Sequence, residues 1–141
     1  MEGYGLINRA EIIREAGHLT KAEMKNLLKT KYGIPPGKFE AVMGEILPHE
    51  SDYQTAIIEW LHSEYPDAFV WKAAAGPYSR CGIPDVCAII NGRFYGFEVK
   101  RPYLGKPTEL QKQTIQKIRN AGGMASVVCF PKDCMEVINS Q

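Results

Sequence analysis

The pattern of apolar and polar positions divides the chain into a first part of short helices and a second part that mixes helices with strands. In the first part, the apolar spacing predicts three helices. They are a helix capped by Asn8 that runs to Glu15, a helix over 21–31 and a helix over 38–47. Thr20 and Glu23 have the spacing of a capping box in front of the second helix. We therefore predict that residues 1–47 form a small helical N-terminal extension.

The second part, residues 48–141, has the order helix, strand, hairpin, helix, strand, helix. This order predicts an α/β fold in which helices flank a mixed central β-sheet. The predicted elements are a helix from a capping box at Ser51 to Glu64, strands over 68–73, 85–90 and 93–100, a helix over 109–121 with a capping box at Thr108, a strand over 124–130, and a short last helix capped by Asp133. Asn91-Gly92 is typical of a tight hairpin turn between the second and third strands.

Composition excludes several classes of protein. A chain of 141 residues fits one domain, or one domain with a small appendage. With 45% hydrophobic and 23% charged residues it is not disordered throughout. The longest apolar run has five residues, far too few for a membrane span. The N-terminus does not resemble a secretory signal, so we expect a cytoplasmic location. The four cysteines form no C-x-x-C pair, and we expect no zinc site.

The net charge of +1 hides a local excess of positive charge. Residues 100–119 contain six basic side chains and one acidic side chain, Glu109. Such a zone is suited to contact with phosphates. The alternative is that the predicted helix over 109–121 simply exposes a solvated polar face.

Three residues that carry chemistry converge in the predicted sheet. Side chains alternate along a strand, so Glu98 and Lys100 lie on one face, about 7 Å apart. Counting back from the hairpin turn pairs Ile90 with Arg93 and places Asp85 opposite Glu98. Carboxylate oxygens bind Mg²⁺ and leave room for water and phosphate. Such an ion polarises a phosphodiester and activates water, and the Lys100 ammonium offsets the negative charge that develops.

The sequence Pro84-Asp85, followed by Glu98-Val99-Lys100, resembles the PD-(D/E)XK nucleases. Four further segments are similar to the VRR-NUC branch of those nucleases, over about residues 48–139: 49–54, Trp71-Lys72, 82–85 and Gln111. The resemblance implies that residues 48–141 form a nuclease domain with a restriction-endonuclease-like core. It also implies Mg²⁺- or Mn²⁺-dependent cleavage of DNA in replication, repair or recombination. Branched DNA is then the expected substrate, a homodimer the expected assembly, and a bacterial or phage-infected cell the expected setting.

The resemblance also assigns roles to individual residues. Glu50, Asp85 and Glu98 would be metal ligands, with the carbonyl of Val99 as a further ligand. Asp85, Glu98, Lys100 and Gln111 would form the catalytic group. From the residues themselves, nucleic-acid contacts are expected from Arg80, which flanks the site in a predicted loop, and from Arg101, Lys106 and Lys112 of the basic zone.

Each of these interpretations has a structural alternative. Glu50 is also suited to a helix N-terminus, where the helix dipole favours negative charge. Gln111 is the third residue of a helix that begins with a capping box, so its side chain can simply satisfy the Thr108 amide. For the whole protein, the alternative is a non-catalytic nucleic-acid-binding module that keeps the nuclease fold. A purely structural α/β interaction protein would require the acidic and basic residues to converge by coincidence.

Overall fold

The computed structural model describes residues 6–73 and 82–140. The helices are α1 (Arg9–Glu15), α2 (Lys21–Tyr32), α3 (Phe39–Ile46), α4 (Glu50–Glu64), α5 (Glu109–Asn120) and α6 (Pro131–Asn139), and a short 3-10 helix (Pro36–Lys38) precedes α3. The strands are β1 (Phe69–Lys72), β2 (Val86–Ile90), β3 (Arg93–Val99) and β4 (Met124–Val128). The chain forms two units, one of residues 1–48 with 101–105 and one of residues 49–100 with 106–141.

Polar side chains begin three of the helices as the sequence predicts. The Asn8 side chain accepts a hydrogen bond from the Glu11 amide at the start of α1. The capping boxes at the starts of α2 and α5 are both formed, with Thr20 and Thr108 as the N-cap residues. Each box satisfies two amides that the first turn of a helix leaves unpaired.

Two other predicted caps are wrong. Helix α4 begins at Glu50, ahead of Ser51, because the Asp52 carboxylate accepts a hydrogen bond from the His49 amide at 2.9 Å. Helix α6 begins at Pro131, so Asp133 lies inside it rather than capping it. In both cases an aspartate in the first turn reaches back to an amide before the helix. This contact moves the start of the helix toward the N-terminus.

The helical unit is completed by a segment from later in the chain. Its core includes Ile12, Leu28 and Phe39, each at most 1% exposed. The ring of Tyr103 lies 5.8 Å from that of Phe39, and the Tyr103 hydroxyl donates to the Leu19 carbonyl at 2.6 Å. The extension predicted for residues 1–47 therefore also contains residues 101–105.

The second unit contains a four-stranded sheet in the order β1-β2-β3-β4. The first three strands are antiparallel and β4 runs parallel to β3, which confirms the predicted α/β fold with a mixed sheet. One sheet face, with Val86, Phe97 and Val99, packs against α4 and α6 in the main hydrophobic core. The opposite face carries Asp85, Cys87 and Glu98, because side chains alternate along each strand.

The hairpin fixes the register that the site requires. Asn91 and Gly92 have φ angles of 50° and 80°, as a tight turn of this hand needs. Ile90 pairs with Arg93, as the sequence predicts. Among the described helices, none is long and apolar enough to cross a membrane.

Candidate active site

Asp85 stands directly before β2 and is tied to the end of β3. Its carboxylate oxygen Oδ2 accepts a hydrogen bond from the Val99 amide at 2.9 Å. The sequence analysis did not predict this bond, although the hairpin register was a sufficient signal for it. A residue that pairs with Glu98 across the hairpin also lies beside the backbone amide of Val99. The bond holds the half-buried Asp85 carboxylate on the sheet face that carries Glu98.

The Glu98 side chain is almost completely buried, with 1% of its surface exposed. Its oxygen Oε1 accepts a hydrogen bond from the Gln111 side-chain amide at 2.9 Å and lies 3.7 Å from the Lys100 ammonium. The other oxygen, Oε2, is buried and has no hydrogen-bond partner within the described part of the chain. An ionised carboxylate in this state is costly unless a further positive charge or a proton compensates it.

The surroundings of Glu98 favour its protonated form in the absence of a cation. Burial, followed by the negative charge of Asp85 and by a hydrogen bond that only a protonated Glu98 can donate to the Asp85 carboxylate, raises the pKa of Glu98 to about 8. Lys100 opposes this rise, and the negative charge of Glu50 adds to it. Two acids at one point on a sheet, with one ammonium beside them, form a site that attracts a cation.

Gln111 serves both of the roles that the sequence left open. Its side-chain oxygen accepts a hydrogen bond from the Thr108 amide at 2.9 Å, which completes the capping box of α5. Its side-chain nitrogen donates to Glu98. One amide group therefore anchors the start of α5 and orients the buried carboxylate.

The donor set fits Mg²⁺ or Mn²⁺. Mg²⁺ typically takes one or two carboxylates from the protein and completes its shell with water and phosphate oxygens. Asp85 and Glu98 supply two carboxylates, and the unpartnered Oε2 of Glu98 is an oxygen able to bind a cation. The Val99 carbonyl is expected on the Asp85 side, because the N–H and C=O of one strand residue point the same way.

Glu50 is placed differently from the other two predicted ligands. It is the first residue of α4 and is partly exposed. Among the described residues, no three His, Cys, Asp or Glu side chains form a group that could hold a metal ion. The three predicted carboxylates are therefore not assembled into one cluster, and Glu50 as a ligand stays a prediction.

The predicted nucleic-acid contacts have different surroundings. Lys106 and Lys112 are exposed, and the Lys112 ammonium lies 3.3 Å from the Glu109 carboxylate. The Arg101 guanidinium donates to the carbonyls of Gly44, Leu47 and Pro48 at 2.8–2.9 Å. Arg101 thus has a structural function that the sequence analysis missed, and its contact with nucleic acid stays a prediction.

Arg80 and the predicted loop around it lie outside the described residues. The three described cysteines are free thiols, and burial raises the pKa of Cys87 to about 11. Cys87 therefore stays protonated beside Asp85 at neutral pH and is a poor metal ligand.

Comparison with known proteins finds similarity to solved structures alone. No protein-family model matches the chain, and no curated protein matches it. Three solved chains match. One, described as a VRR_NUC domain, is 24% identical, covers 63% of this chain and 92% of its own, and has a TM-score of 0.48.

Proposed function

We propose that the protein is a metal-dependent nuclease that hydrolyses phosphodiester bonds in DNA. The observation that carries the proposal is the buried Glu98 carboxylate beside Asp85, with the Lys100 ammonium 3.7 Å away. A protein gains no stability from placing two acids together on a sheet. A site that binds a cation for catalysis at a phosphate group explains the arrangement.

Asp85, Glu98 and the Val99 carbonyl would hold Mg²⁺ or Mn²⁺, with Glu50 as an additional carboxylate. When bound, the ion would neutralise the acids, polarise the phosphodiester and favour ionisation of the attacking water.

Lys100 and Gln111 have separate roles in this proposal. Lys100 is 13% exposed, so its ammonium can reach both the buried acid and a substrate. It would hold a phosphate oxygen or orient the attacking water, and its charge would stabilise the negative charge that develops. Gln111 would act as a positioning residue, because its amide fixes the rotamer of Glu98.

The finer parts of the proposal are supported by the resemblance to VRR-NUC nucleases. They are a branched, flap or junction DNA substrate, a role in replication, repair or recombination, and a homodimer. One active site cuts one strand, so cleavage of both strands at a junction needs two copies of the site.

The proposal is tested by incubating the purified protein with supercoiled plasmid and with labelled branched DNA, in Mg²⁺, in Mn²⁺ and in EDTA. We expect cleavage only with a metal ion. Lys100→Ala should reduce the rate by about a hundredfold or more, because it removes a charge that stabilises the transition state. Lys29→Ala removes an exposed lysine of α2 and is the matched control, with a rate within about twofold of wild type.

Two outcomes would contradict the proposal. The first is wild-type cleavage by the Lys100→Ala protein. The second is DNA binding that needs no metal, survives Glu98→Ala and is never followed by cleavage. That second result would identify the non-catalytic binding module instead.

A further inference from the structure

A patch of apolar side chains extends along the sheet face that carries Asp85 and Glu98. It consists of Phe69 and Trp71 of β1, Ile89 of β2 and Phe94 of β3, and is called the aromatic patch below. Phe69 is 66% exposed and Ile89 is 42% exposed, while the other two side chains are half-buried. Phenylalanine on an open sheet surface costs solubility, so its presence there indicates a binding surface.

The strand pairings place the aromatic patch directly next to the acids. Phe69 pairs with Ile89, which in turn pairs with Phe94, and these three side chains form one row across the sheet. Trp71 lies in the next row on the same sheet face. In the same register, Asp85 lies one row beyond Trp71. Rows on one face are about 7 Å apart. The Trp71 ring therefore lies about one nucleotide length from the row of the acids, and the Phe69 row lies about two nucleotide lengths from it.

The rings also contact one another. The ring centroids of Phe69 and Trp71 are 5.3 Å apart, and those of Trp71 and Phe94 are 6.1 Å apart. Mutual support holds Trp71 in place, while Phe69 keeps most of its surface open. Exposed aromatic faces are a means by which proteins bind unpaired bases.

The size of the aromatic patch favours a nucleic acid over a second copy of the chain. A stable dimer interface involves roughly 20–30 residues on each side. Four side chains make a much smaller contact, whereas one or two rings are sufficient to stack a base.

We propose that the aromatic patch binds unpaired nucleobases by stacking, so that the preferred DNA has a single-stranded segment beside the bond to be cut. The inference rests on the proposed nuclease function for its choice of DNA as the ligand. It adds to that function a binding role for Phe69 and Trp71.

Binding is measured in EDTA, so that the readout does not depend on DNA cleavage. The probe is an oligothymidylate of about 12 nucleotides, and the comparison is an oligomer of the same length without bases. The chain has two tryptophans, Trp60 and Trp71. In a Trp60→Phe background, fluorescence therefore reports on Trp71 alone. We expect the oligothymidylate to quench this fluorescence and the oligomer without bases to leave it nearly unchanged.

Variants of Phe69 test the aromatic contact without disturbing the core. Phe69→Ala should weaken binding of the oligothymidylate about tenfold. Phe69→Tyr keeps an aromatic face and should retain wild-type affinity. Met135→Ala removes a comparably exposed apolar side chain from α6 and should have no effect. Thermal unfolding and sedimentation of each variant are measured alongside.

Three results would overturn the inference. One is equal quenching by the oligomers with and without bases. Another is a Phe69→Ala affinity that matches that of Met135→Ala. The third is a Phe69→Ala protein that sediments as a monomer where the wild type is a dimer, because a second copy would then cover the aromatic patch. Quenching by bases in a protein that never cleaves DNA would support the stacking site and remove the nuclease function, so the two proposals fail separately.

Discussion

Glu98 carries a carboxylate that the rest of the second unit keeps away from water. Its side chain is 1% exposed, one oxygen is held by Gln111, and the other oxygen has no hydrogen-bond partner in the described parts of the chain. Asp85 adds a second negative charge beside it. Without a cation, the folded state therefore favours a proton on Glu98, and this preference links stability to pH.

The metal-free protein should lose stability as the pH rises from about 5 to about 8. The pKa of Glu98 is raised to about 8 in the folded protein, from an ordinary 4.5. Between these values the folded state keeps a proton that the unfolded state has released, so each rise in pH favours unfolding. The loss should be a few kcal/mol at most and complete above about pH 8.

Urea unfolding in EDTA across this pH range measures the effect. Glu98→Gln cannot ionise, and its stability should vary much less with pH. An unchanged pH dependence in Glu98→Gln would show that other groups cause it.

Gln111→Glu should separate the two functions of the Gln111 side chain. Glutamate also completes a capping box, so the start of α5 should remain intact. Its carboxylate cannot donate to Glu98, so the Glu98 rotamer is no longer fixed. The cleavage rate should therefore fall about 10–100-fold.

Thr108→Ala is the matched control for this prediction. It should cost about 1 kcal/mol of stability through the lost cap and change activity little. A cleavage assay makes the comparison, and thermal unfolding measures the lost cap. An equal loss of cleavage rate in both variants would contradict a positioning role for Gln111.

At the scale of elements, the site depends on how α5 meets the chain just before Asp85. Gly82 has a φ of +84°, a conformation that other residues adopt with strain. A Cβ atom at this position would lie 2.8 Å from Oγ1 of Thr114 and 2.9 Å from Cγ of Leu110, both on α5. The absence of a side chain allows this close approach, which brings α5 and its Gln111 to the sheet.

Gly82→Ala should destabilise the protein by about 1–3 kcal/mol, through backbone strain and overpacking. Cleavage should fall as well, because Asp85 and α5 would be displaced relative to each other. Gly37→Ala is the control, since a Cβ there meets nothing within 4 Å. Thermal unfolding and a cleavage assay compare the two variants, and equal melting temperatures would contradict the argument.

At the scale of the whole molecule, the two units alternate along the chain. Lys100 directly follows β3, the strand that carries Glu98, and the next residue, Arg101, belongs to the helical unit. The Arg101 guanidinium satisfies carbonyls at and after the C-terminus of α3, where a helix leaves four carbonyls unpaired. A domain boundary drawn near residue 47 therefore separates residues 101–105 from the residues of the helical unit that they contact.

A shortened chain of residues 48–141 should be unstable or aggregate. It would expose Tyr103 and remove Gly44 and Leu47, whose carbonyls accept two of the hydrogen bonds of the Arg101 guanidinium. Size-exclusion chromatography and circular dichroism compare this chain with the full protein. A monomeric, cooperatively folding product would show that residues 101–105 do not require residues 1–47.

Local chemistry was sufficient to predict much of the fold. Asn91-Gly92 fixes a turn whose geometry allows one register, and that register brings residues 85 and 98 together. Thr20 and Thr108 begin helices because the partner three residues later completes a box. The predicted start of α4 is wrong for a local reason too. Ser51 and Asp52 compete for neighbouring amides, and the sequence does not show which of the two forms the hydrogen bond.

Residue order alone thus determined the α/β class, the hairpin and the meeting of two acids, because each follows from the order of the elements, the alternation of side chains along a strand and one tight turn. The tertiary structure decided which groups surround those acids. Burial of Glu98, its bond to Gln111 and the use of Arg101 as a helix cap all join elements whose relative position no single turn sets. Such contacts depend on how elements pack, and packing sets the local dielectric that gives a carboxylate its pKa.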